Sequence, residues 1–374
     1  MTNWTQFRAK FPALEGKAYL NTAGGGVMSH QVAKAATQYF KESVEQGDIC
    51  WNTWLARADR DRVDVGKFIG ADSISVAFLQ NASLGLNIVA RSFESNIEVL
   101  AIKPEFPSCT TPFLRAGHTV TFMDTPASGY VDADMVKASL SESPKDVFVL
   151  SSVQFANGFR ADLQAIGTVC QDLGALFIVD ATQSIGAFGI DMVRDHIDVL
   201  VFSGYKWATA GYGNAVLATG NRWPQTSIPP LVGWRSAKQA YDLENFRLDM
   251  LPGGIGHEMG HPPFPCIFAI GEALRLLGQP KMTELESRIT ELTIQLREGL
   301  SALDLPIRSD GSANHLSGIT LIELVNAGEI KFKLQERDVW VTARQGGLRI
   351  SVHAYNNSAD VEWLLRELEL LVKP

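Results

Sequence analysis

Two stretches decide the fold: Leu176-Phe-Ile-Val-Asp180-Ala-Thr-Gln183-Ser and Val199-Leu-Val-Phe-Ser203-Gly-Tyr205-Lys206-Trp207. Each is a short apolar run, rich in β-branched residues, that ends abruptly in polar groups. That pattern predicts strands buried on both faces. The first strand ends in a carboxylate. The second is followed by a lysine and then by a loop holding Gly211 and Gly213. Taken alone, Asp180 reads as a turn residue and Lys206 as a surface lysine. Their positions argue otherwise, because ligands of parallel sheets gather beyond the carboxyl ends of strands.

Working outward, Ile74–Leu79, Glu98–Ile102, Thr119–Met123, Val147–Ser151 and Ala215–Thr219 read as further buried strands. Helical stretches lie between several of them. Ala82–Ser92 is one. In Leu163–Leu173, the residues Leu163, Ile166, Val169, Cys170 and Leu173 fall on one helical face. Alternating strands and helices predict an α/β fold with a mostly parallel sheet covered on both sides. A break follows at Leu251–Pro265, where Gly253, Gly254 and Gly256 precede Pro262, Pro263 and Pro265. Beyond it, Ile267–Leu277, Met282–Leu303 and Ala359–Val372 read as helices, and Gly318–Leu324 and Leu348–Val352 as strands of a smaller sheet. The expected division is a large domain over 22–255 and a small α+β domain from 1–21 plus 256–374.

Composition excludes several function classes. The 374 residues are 46% hydrophobic and 20% charged, which is globular rather than disordered. Lys plus Arg number 33 against 41 Asp plus Glu, a net charge of −8 without a basic run, which disfavours nucleic-acid and anionic-membrane binding. No stretch reaches the roughly 18 apolar residues of a membrane helix, and the first residues lack an apolar signal core. Cys50, Cys109, Cys170 and Cys266 have no C-x-x-C spacing, which fits a reducing compartment. The expectation is a soluble cytoplasmic protein.

An Asp at one strand end and a Lys at a nearby one are the two protein groups that pyridoxal phosphate requires. The lysine forms a Schiff base with the cofactor, and the carboxylate keeps the pyridine nitrogen protonated. In this order and spacing, Val-Asp180-Ala-Thr-Gln183-Ser and Ser203-Gly-Tyr205-Lys206-Trp207 resemble the class V aminotransferase group of fold-type-I pyridoxal-phosphate enzymes. That group includes cysteine desulfurases, kynureninase, isopenicillin N epimerase and C–S lyases. The resemblance runs from Tyr19-Leu-Asn-Thr-Ala-Gly24 to Leu348-Arg-Ile-Ser-Val-His-Ala-Tyr-Asn356. It implies the pyridoxal-phosphate-dependent transferase (aspartate aminotransferase-like) fold and a homodimer.

The resemblance also implies residue roles. Leu79-Gln-Asn81-Ala82-Ser83-Leu-Gly85 matches the turn that holds the phosphate, with Ala82 and Ser83 at a helix N-terminus. Phe106, in Glu105-Phe-Pro-Ser108, matches the ring that stacks on the cofactor. Gln183, Ser203 and Tyr205 match residues around the phosphate and the lysine. Val153-Gln154-Phe-Ala-Asn157-Gly158 matches the contact to the ring's 3-oxygen, through Gln154 or Asn157, with Gln154 preferred. Arg349 matches the arginine that grips the substrate α-carboxylate, a bidentate task for which lysine does not substitute. Asn21 and Trp234 are expected to line the substrate pocket, and His261 to reach the neighbouring subunit's phosphate.

His257-Glu258-Met-Gly-His261 also fits the zinc-hydrolase pattern H-E-x-x-H. That motif needs a helix to bring both His to one face. Three Gly before it, one inside and two Pro after it argue against a helix. Within the family, desulfurases carry a nucleophilic Cys shortly before the arginine. Val341-Thr-Ala-Arg344-Gln-Gly-Gly347 has none. The leading expectation is therefore an aminotransferase acting on a small L-amino acid, with C–S lyase or epimerase as alternatives. A DNA-binding regulator built on this fold would need an added module, and no residues are left over for one.

Overall fold

The computed structural model describes residues 2–126, 129–223, 229–309, 311–344 and 346–372. The first part of the chain holds α1 (Trp4–Arg8), β1 (Ala18–Tyr19), α2 (His30–Gln46), α3 (Trp51–Ile69), β2 (Val76–Leu79), α4 (Ala82–Arg91), β3 (Glu98–Lys103), α5 (Pro107–Ala116) and β4 (Thr119–Asp124). Next come α6 (Ala133–Glu142), β5 (Val147–Ser151), α7 (Leu163–Asp172), β6 (Leu176–Asp180), β7 (Val199–Ser203) and β8 (Ala215–Thr219). The last part holds α8 (Phe264–Leu277), α9 (Met282–Ala302), β9 (Ile319–Glu323), α10 (Ala327–Gln335), β10 (Val339–Trp340), β11 (Thr342–Arg344), β12 (Gly347–Ser351) and α11 (Ser358–Val372).

Among the described residues, the central sheet has seven strands in the order β2-β8-β7-β6-β5-β3-β4. The pairs from β7 through β6, β5 and β3 to β4 are parallel. β8 runs antiparallel to both of its neighbours, so β2 points the same way as β7. The carboxyl ends of β2, β3, β5, β6 and β7 therefore meet along one edge of the sheet, the edge that carries Asp180 and Ser203. Alternate side chains feed two cores. Phe148, Phe177, Val179, Leu200 and Phe202 face one way, while Val147, Val149, Ile178, Val199 and Val201 face the other. Burial on both faces is why these strands read as unbroken apolar runs. Thr119–Met123 is the exception to the expected burial. β4 is the last strand in the order, has one neighbour, and exposes Thr119, Thr121 and Phe122.

The second sheet, β11-β12-β9, is antiparallel. The N-terminal arm joins this end of the molecule. β1 pairs parallel with β10, Asn21 bridges to Ser351, and Arg8 forms a 2.7 Å ion pair with Asp360. The expected division at residue 255 falls within a 3₁₀ turn, Gly254–His257. The helix after it, α8, packs on α2 and α3. Phe264 lies 5.8 Å from Tyr39 and 5.6 Å from Trp54, and the Arg57 guanidinium sits 3.8 Å over the Phe268 ring.

Candidate active site

At that edge, a cavity of about 170 Å³ opens between Asp180, Lys206, Phe106, Tyr205, Ser83 and Phe155. Each wall follows from local structure. Asp180 ends β6, and its Oδ1 accepts from the Thr182 amide at 2.8 Å. Thr182 Oγ1 in turn accepts from the Ser203 amide at 3.1 Å, which locks the ends of β6 and β7 together. The lysine turn is fixed from the N-terminal side. The Gly26 amide donates to the Tyr205 carbonyl at 2.8 Å, and a Cβ on Gly26 would lie 2.0 Å from the Lys206 carbonyl oxygen. Only glycine allows that approach. Trp207, fully buried, donates to Gln183 Oε1 at 2.8 Å, while His353 Nε2 meets the Trp207 carbonyl at 3.1 Å.

The start of α4 forms another wall. Asn81 caps α4 by accepting from the Leu84 amide at 2.9 Å. Ser203 Oγ accepts from the Ala82 amide at 2.9 Å, and Ser83 Oγ lies 2.7 Å from Ser108 Oγ. Phe106 caps α5, and its ring centre is 5.8 Å from Lys206 Nζ. The Tyr205 ring centre is 5.4 Å from the same nitrogen and stacks on Tyr212 at 4.5 Å.

The charges here are poorly compensated. Lys206 is 8% exposed and makes no hydrogen bond or ion pair among the described residues. Burial drives its pKa down to about 8; Asp180 opposes that shift, and Arg349 and Arg344 add to it. Burial likewise raises the Asp180 carboxyl, against the pull of Thr182 and Lys206. Arg349 is 1% exposed; burial, with Arg344 beside it, lowers its pKa to about 10. Its Nη1 donates to the Phe155 carbonyl at 2.7 Å, while Nε and Nη2 are buried with no partner among the described residues. Buried donors are normally satisfied, so these two donors set Arg349 apart from a structural arginine.

Some expected residues lie elsewhere. The Gln154 side-chain amide donates to Glu105 Oε2 at 3.1 Å and to the Ser151 carbonyl at 3.3 Å, and Gln154 does not line the cavity. Asn157 Oδ1 accepts from the Phe159 amide at 3.0 Å. Phe155, between them, faces the cavity instead. Trp234 and His261 come together with ring centres 5.2 Å apart, and Trp51 lies 5.5 Å from His261. This group is not part of the cavity wall within one chain. Asn21 Oδ1 accepts from Thr342 Oγ1, and Thr342 faces Arg349 across the ladder. Glu105, given no role from the sequence, accepts from the Ser151 amide and hydroxyl and the Phe106 amide at 2.6–2.8 Å. Its only signal was its place one residue before Phe106.

The H-E-x-x-H segment forms no α-helix. Glu258 is held by Arg62 at 2.5 and 3.0 Å and by the Phe78 amide at 2.8 Å. His257 is buried, which lowers its pKa to about 4. Among the described residues, no group of His, Cys, Asp and Glu is placed to hold a metal.

The site's chemistry agrees with what the chain is similar to. It matches the family Aminotransferase class-V over residues 18–364. A probable cysteine desulfurase of Methanothermobacter thermautotrophicus is 25% identical, with 97% of this chain and 96% of that protein covered. One from Pyrococcus abyssi is 24% identical, covering 92% and 86%. In fold, the apo cysteine desulfurase of Thermococcus onnurineus NA1 superposes with a TM-score of 0.90 at 21% identity, covering 100% of this chain and 99% of that one. The cystine C–S lyase C-DES, in complex with cysteine persulfide, gives 0.87 at 21% identity, covering 96% and 99%. The chain belongs to the class-V aminotransferase family of pyridoxal-phosphate-dependent enzymes.

Proposed function

We propose that this chain is an aminotransferase acting on a small L-amino acid, with pyridoxal phosphate held covalently by Lys206. The observation that carries the reading is the Arg349 guanidinium, buried with two donors that have no partner among the described residues and near enough to Lys206 for its charge to be felt there. The residues fit the cofactor. Asp180 is a buried carboxylate with no cation in contact, a natural seat for a protonated ring nitrogen. The N-terminus of α4, with Ala82 and Ser83, suits a phosphate. Phe106 offers a stacking face. When bound, the cofactor supplies an electron sink for negative charge at the substrate Cα.

The rest is done by side chains of this chain. Arg349 takes the α-carboxylate through Nε and Nη2 and so orients the Cα–H bond. Lys206, with its pKa near 8, moves that proton at close to neutral pH. Phe106 cannot exchange protons and burial raises the Tyr205 hydroxyl, so Lys206 is the base beside the ring. Gln183 and Trp207 hold the lysine turn rigid, and Asn21 closes the substrate end.

A C–S lyase is the second reading, favoured by the cysteine desulfurase and C–S lyase relatives. It uses the same base at Cα. The absence of Cys from 341–347, a segment whose Gln345 lies outside the described residues, removes the nucleophile of a persulfide-forming desulfurase. The partner we infer is a second copy of the chain. The surface that would meet it carries Trp234, His261 and the exposed Tyr241, Leu243, Phe246 and Leu248. A cytoplasmic setting is in keeping with four free cysteines. No helix among the described residues is long and apolar enough to cross a membrane.

The test is spectral and chemical. Cofactor-loaded protein is expected to absorb in the visible, and borohydride is expected to fix the cofactor on Lys206, seen by peptide mass. A colourless protein at saturating cofactor overturns the reading. A strict need for a keto-acid acceptor identifies the aminotransferase. Pyruvate from cysteine or cystine without one identifies the lyase.

A further inference from the structure

Behind Asp180 runs a short polar chain, from Glu105 through Ser151 to Cys109, that the proposed mechanism does not use. Ser151 ends β5 and pairs with Asp180 in the sheet register, and Cys109 stands in the first turn of α5. Ser151, Cys109 and Asp180 are all buried. Cys109 Sγ lies 3.6 Å from Ser151 Oγ and 3.8 Å from Asp180 Oδ2. A thiol has one proton, so it serves one of these two oxygens at a time. Burial, with the charges of Glu105 and Asp180, pushes that thiol well above its ordinary value, so it keeps the proton.

The other protons of the chain can be placed. Glu105 Oε1 takes the Phe106 amide and the Ser151 hydroxyl, each at 2.6 Å. Its Oε2 takes the Ser151 amide at 2.8 Å and the Gln154 side chain at 3.1 Å. Burial raises this carboxyl, and those four donors pull it back. A backbone amide, which can only donate, sits on each oxygen, so Glu105 is an ionised acceptor. The Ser151 proton is thereby committed to Glu105, and Ser151 Oγ faces the thiol as an acceptor. On the far side, Asp180 Oδ1 already accepts from the Thr182 amide. Oδ2, the oxygen beside the thiol, is the less engaged of the two.

We propose that Ser151 and Cys109 are positioning residues for Asp180: the thiol donates to Asp180 when no cofactor is bound, and turns to Ser151 when the cofactor's ring nitrogen takes that carboxylate. This rests on the reading of Asp180 as the seat of the ring nitrogen. A fixed donor, such as a backbone amide, would go on drawing charge from Asp180 and weaken its hold on the ring proton. A thiol with two acceptors covers the buried carboxylate in the empty site and then releases it. Because S–H···O bonds are weak, the exchange between the two oxygens is small in energy. Glu105 supports it by keeping the Ser151 proton out of the way.

The experiment reads the S–H stretch of the full chain by infrared spectroscopy, with and without pyridoxal phosphate, and cofactor affinity by equilibrium titration. The Cys109 band is identified by its loss in C109A. In the parent protein it is expected at low frequency without cofactor, as for a thiol bonded to a carboxylate, and to move up on binding. In S151A the thiol has no second acceptor. Its band should then stay in place, and cofactor affinity should fall about threefold. The double variant C109A/S151A should bind as C109A does, because the competing donor is gone. A parent band that does not move on binding, or S151A binding as tightly as the parent, overturns the inference. So does a threefold loss from S151A that persists in the C109A background, which would make Ser151 a direct contact of the cofactor. Melting temperatures of the variants separate misfolding from a lost contact. D180A tests the reading beneath: it should lose both affinity and the low-frequency band. Undiminished affinity in D180A, with the band displaced, overturns the seat of the ring nitrogen rather than the thiol's contact.

Discussion

Two buried arginines in this molecule have opposite surroundings. Arg62, 5% exposed, meets both oxygens of Glu258 and the Val76 carbonyl, so its charge is matched by a carboxylate the fold itself supplies. Arg349, 1% exposed, meets a single carbonyl and no carboxylate among the described residues. Burying a charge is costly unless it is paired. The first arginine is therefore part of the fold, and the second is the one we propose meets a carboxylate that arrives from solution. The same contrast disposes of the H-E-x-x-H motif, because its glutamate is already engaged as the structural counter-ion. Size alone would mislead here. A larger cleft of about 500 Å³ opens at the other end of the strands, but its Arg222 is already paired with Asp198.

The contrast predicts that changes at one region cost chemistry and changes at the other cost stability. The largest effect is expected for Lys206→Ala, a loss of turnover on the order of 10⁴-fold or more, since in the proposed mechanism the amine both holds the cofactor and moves the proton. Removing one of several crowded cations leaves the melting temperature of cofactor-free protein unchanged or raised. A fall in stability without a collapse in turnover would place Lys206 among the structural charges.

The converse holds at Arg62. Arg62→Met or Glu258→Leu alone leaves a buried unpaired charge and is expected to cost about 3–5 kcal/mol in urea unfolding. The double variant should recover much of that loss. If the single variants lose no stability, or if the double variant is no better than either single one, the pair is not the structural element assigned here.

Arg349→Ala should do the reverse. Two charge-assisted hydrogen bonds to the α-carboxylate amount to about 100-fold in kcat/KM, carried mostly by KM. Stability in the absence of ligand should hold or rise, because an unsatisfied guanidinium leaves the interior. Arg349→Lys is expected to recover little, for want of a second donor in the right plane.

How far the sequence anticipated this contrast depends on which groups share local signals. Val147–Ser151, Leu176–Asp180, Val199–Ser203 and Ala215–Thr219 form strands with the bounds read from their apolar runs, because burial on both faces leaves an unbroken signature. Asp180 and Lys206 were visible because one ends such a run and the other lies three residues beyond one. α2 and α3 went unassigned. Their exposed faces dilute the periodicity, and exposed Phe40 and Val44 on α2 blur it further. The orientation of Gln154 was illegible for a different reason. Its segment turns sharply beyond β5, so whether Gln154 or Phe155 faces the cavity is decided by the Glu105 hydrogen bonds. Such long-range contacts leave no periodic trace. The orphan donors of Arg349 and the pairing of Glu258 with Arg62, 196 residues apart, are likewise facts of packing alone.

The smallest effect expected is one of pH, and its sign follows from the same lack of compensation. Burial brings Lys206 to about 8 from an ordinary value near 10.5. At pH 7 roughly a tenth of it is then the free amine, and at pH 9 roughly nine-tenths, so capture of cofactor by apo-protein should quicken about tenfold across that span and level off above it. Stability follows the same group. Between about pH 8 and 10.5 the unfolded lysine holds a proton that the folded one has lost, so Lys206 makes the cofactor-free fold more stable as pH rises through that window. Asp180 acts oppositely. With its carboxyl raised by burial, its contribution declines as pH climbs from the usual carboxylate range toward its folded value. A compensated lysine would show neither trend in its own window, and its capture rate would still be climbing steeply at pH 9. A stopped-flow pH profile of cofactor binding that has not begun to level by pH 9 would therefore mean that a counter-ion stands beside Lys206, and the contrast with Arg62 would fail at its centre.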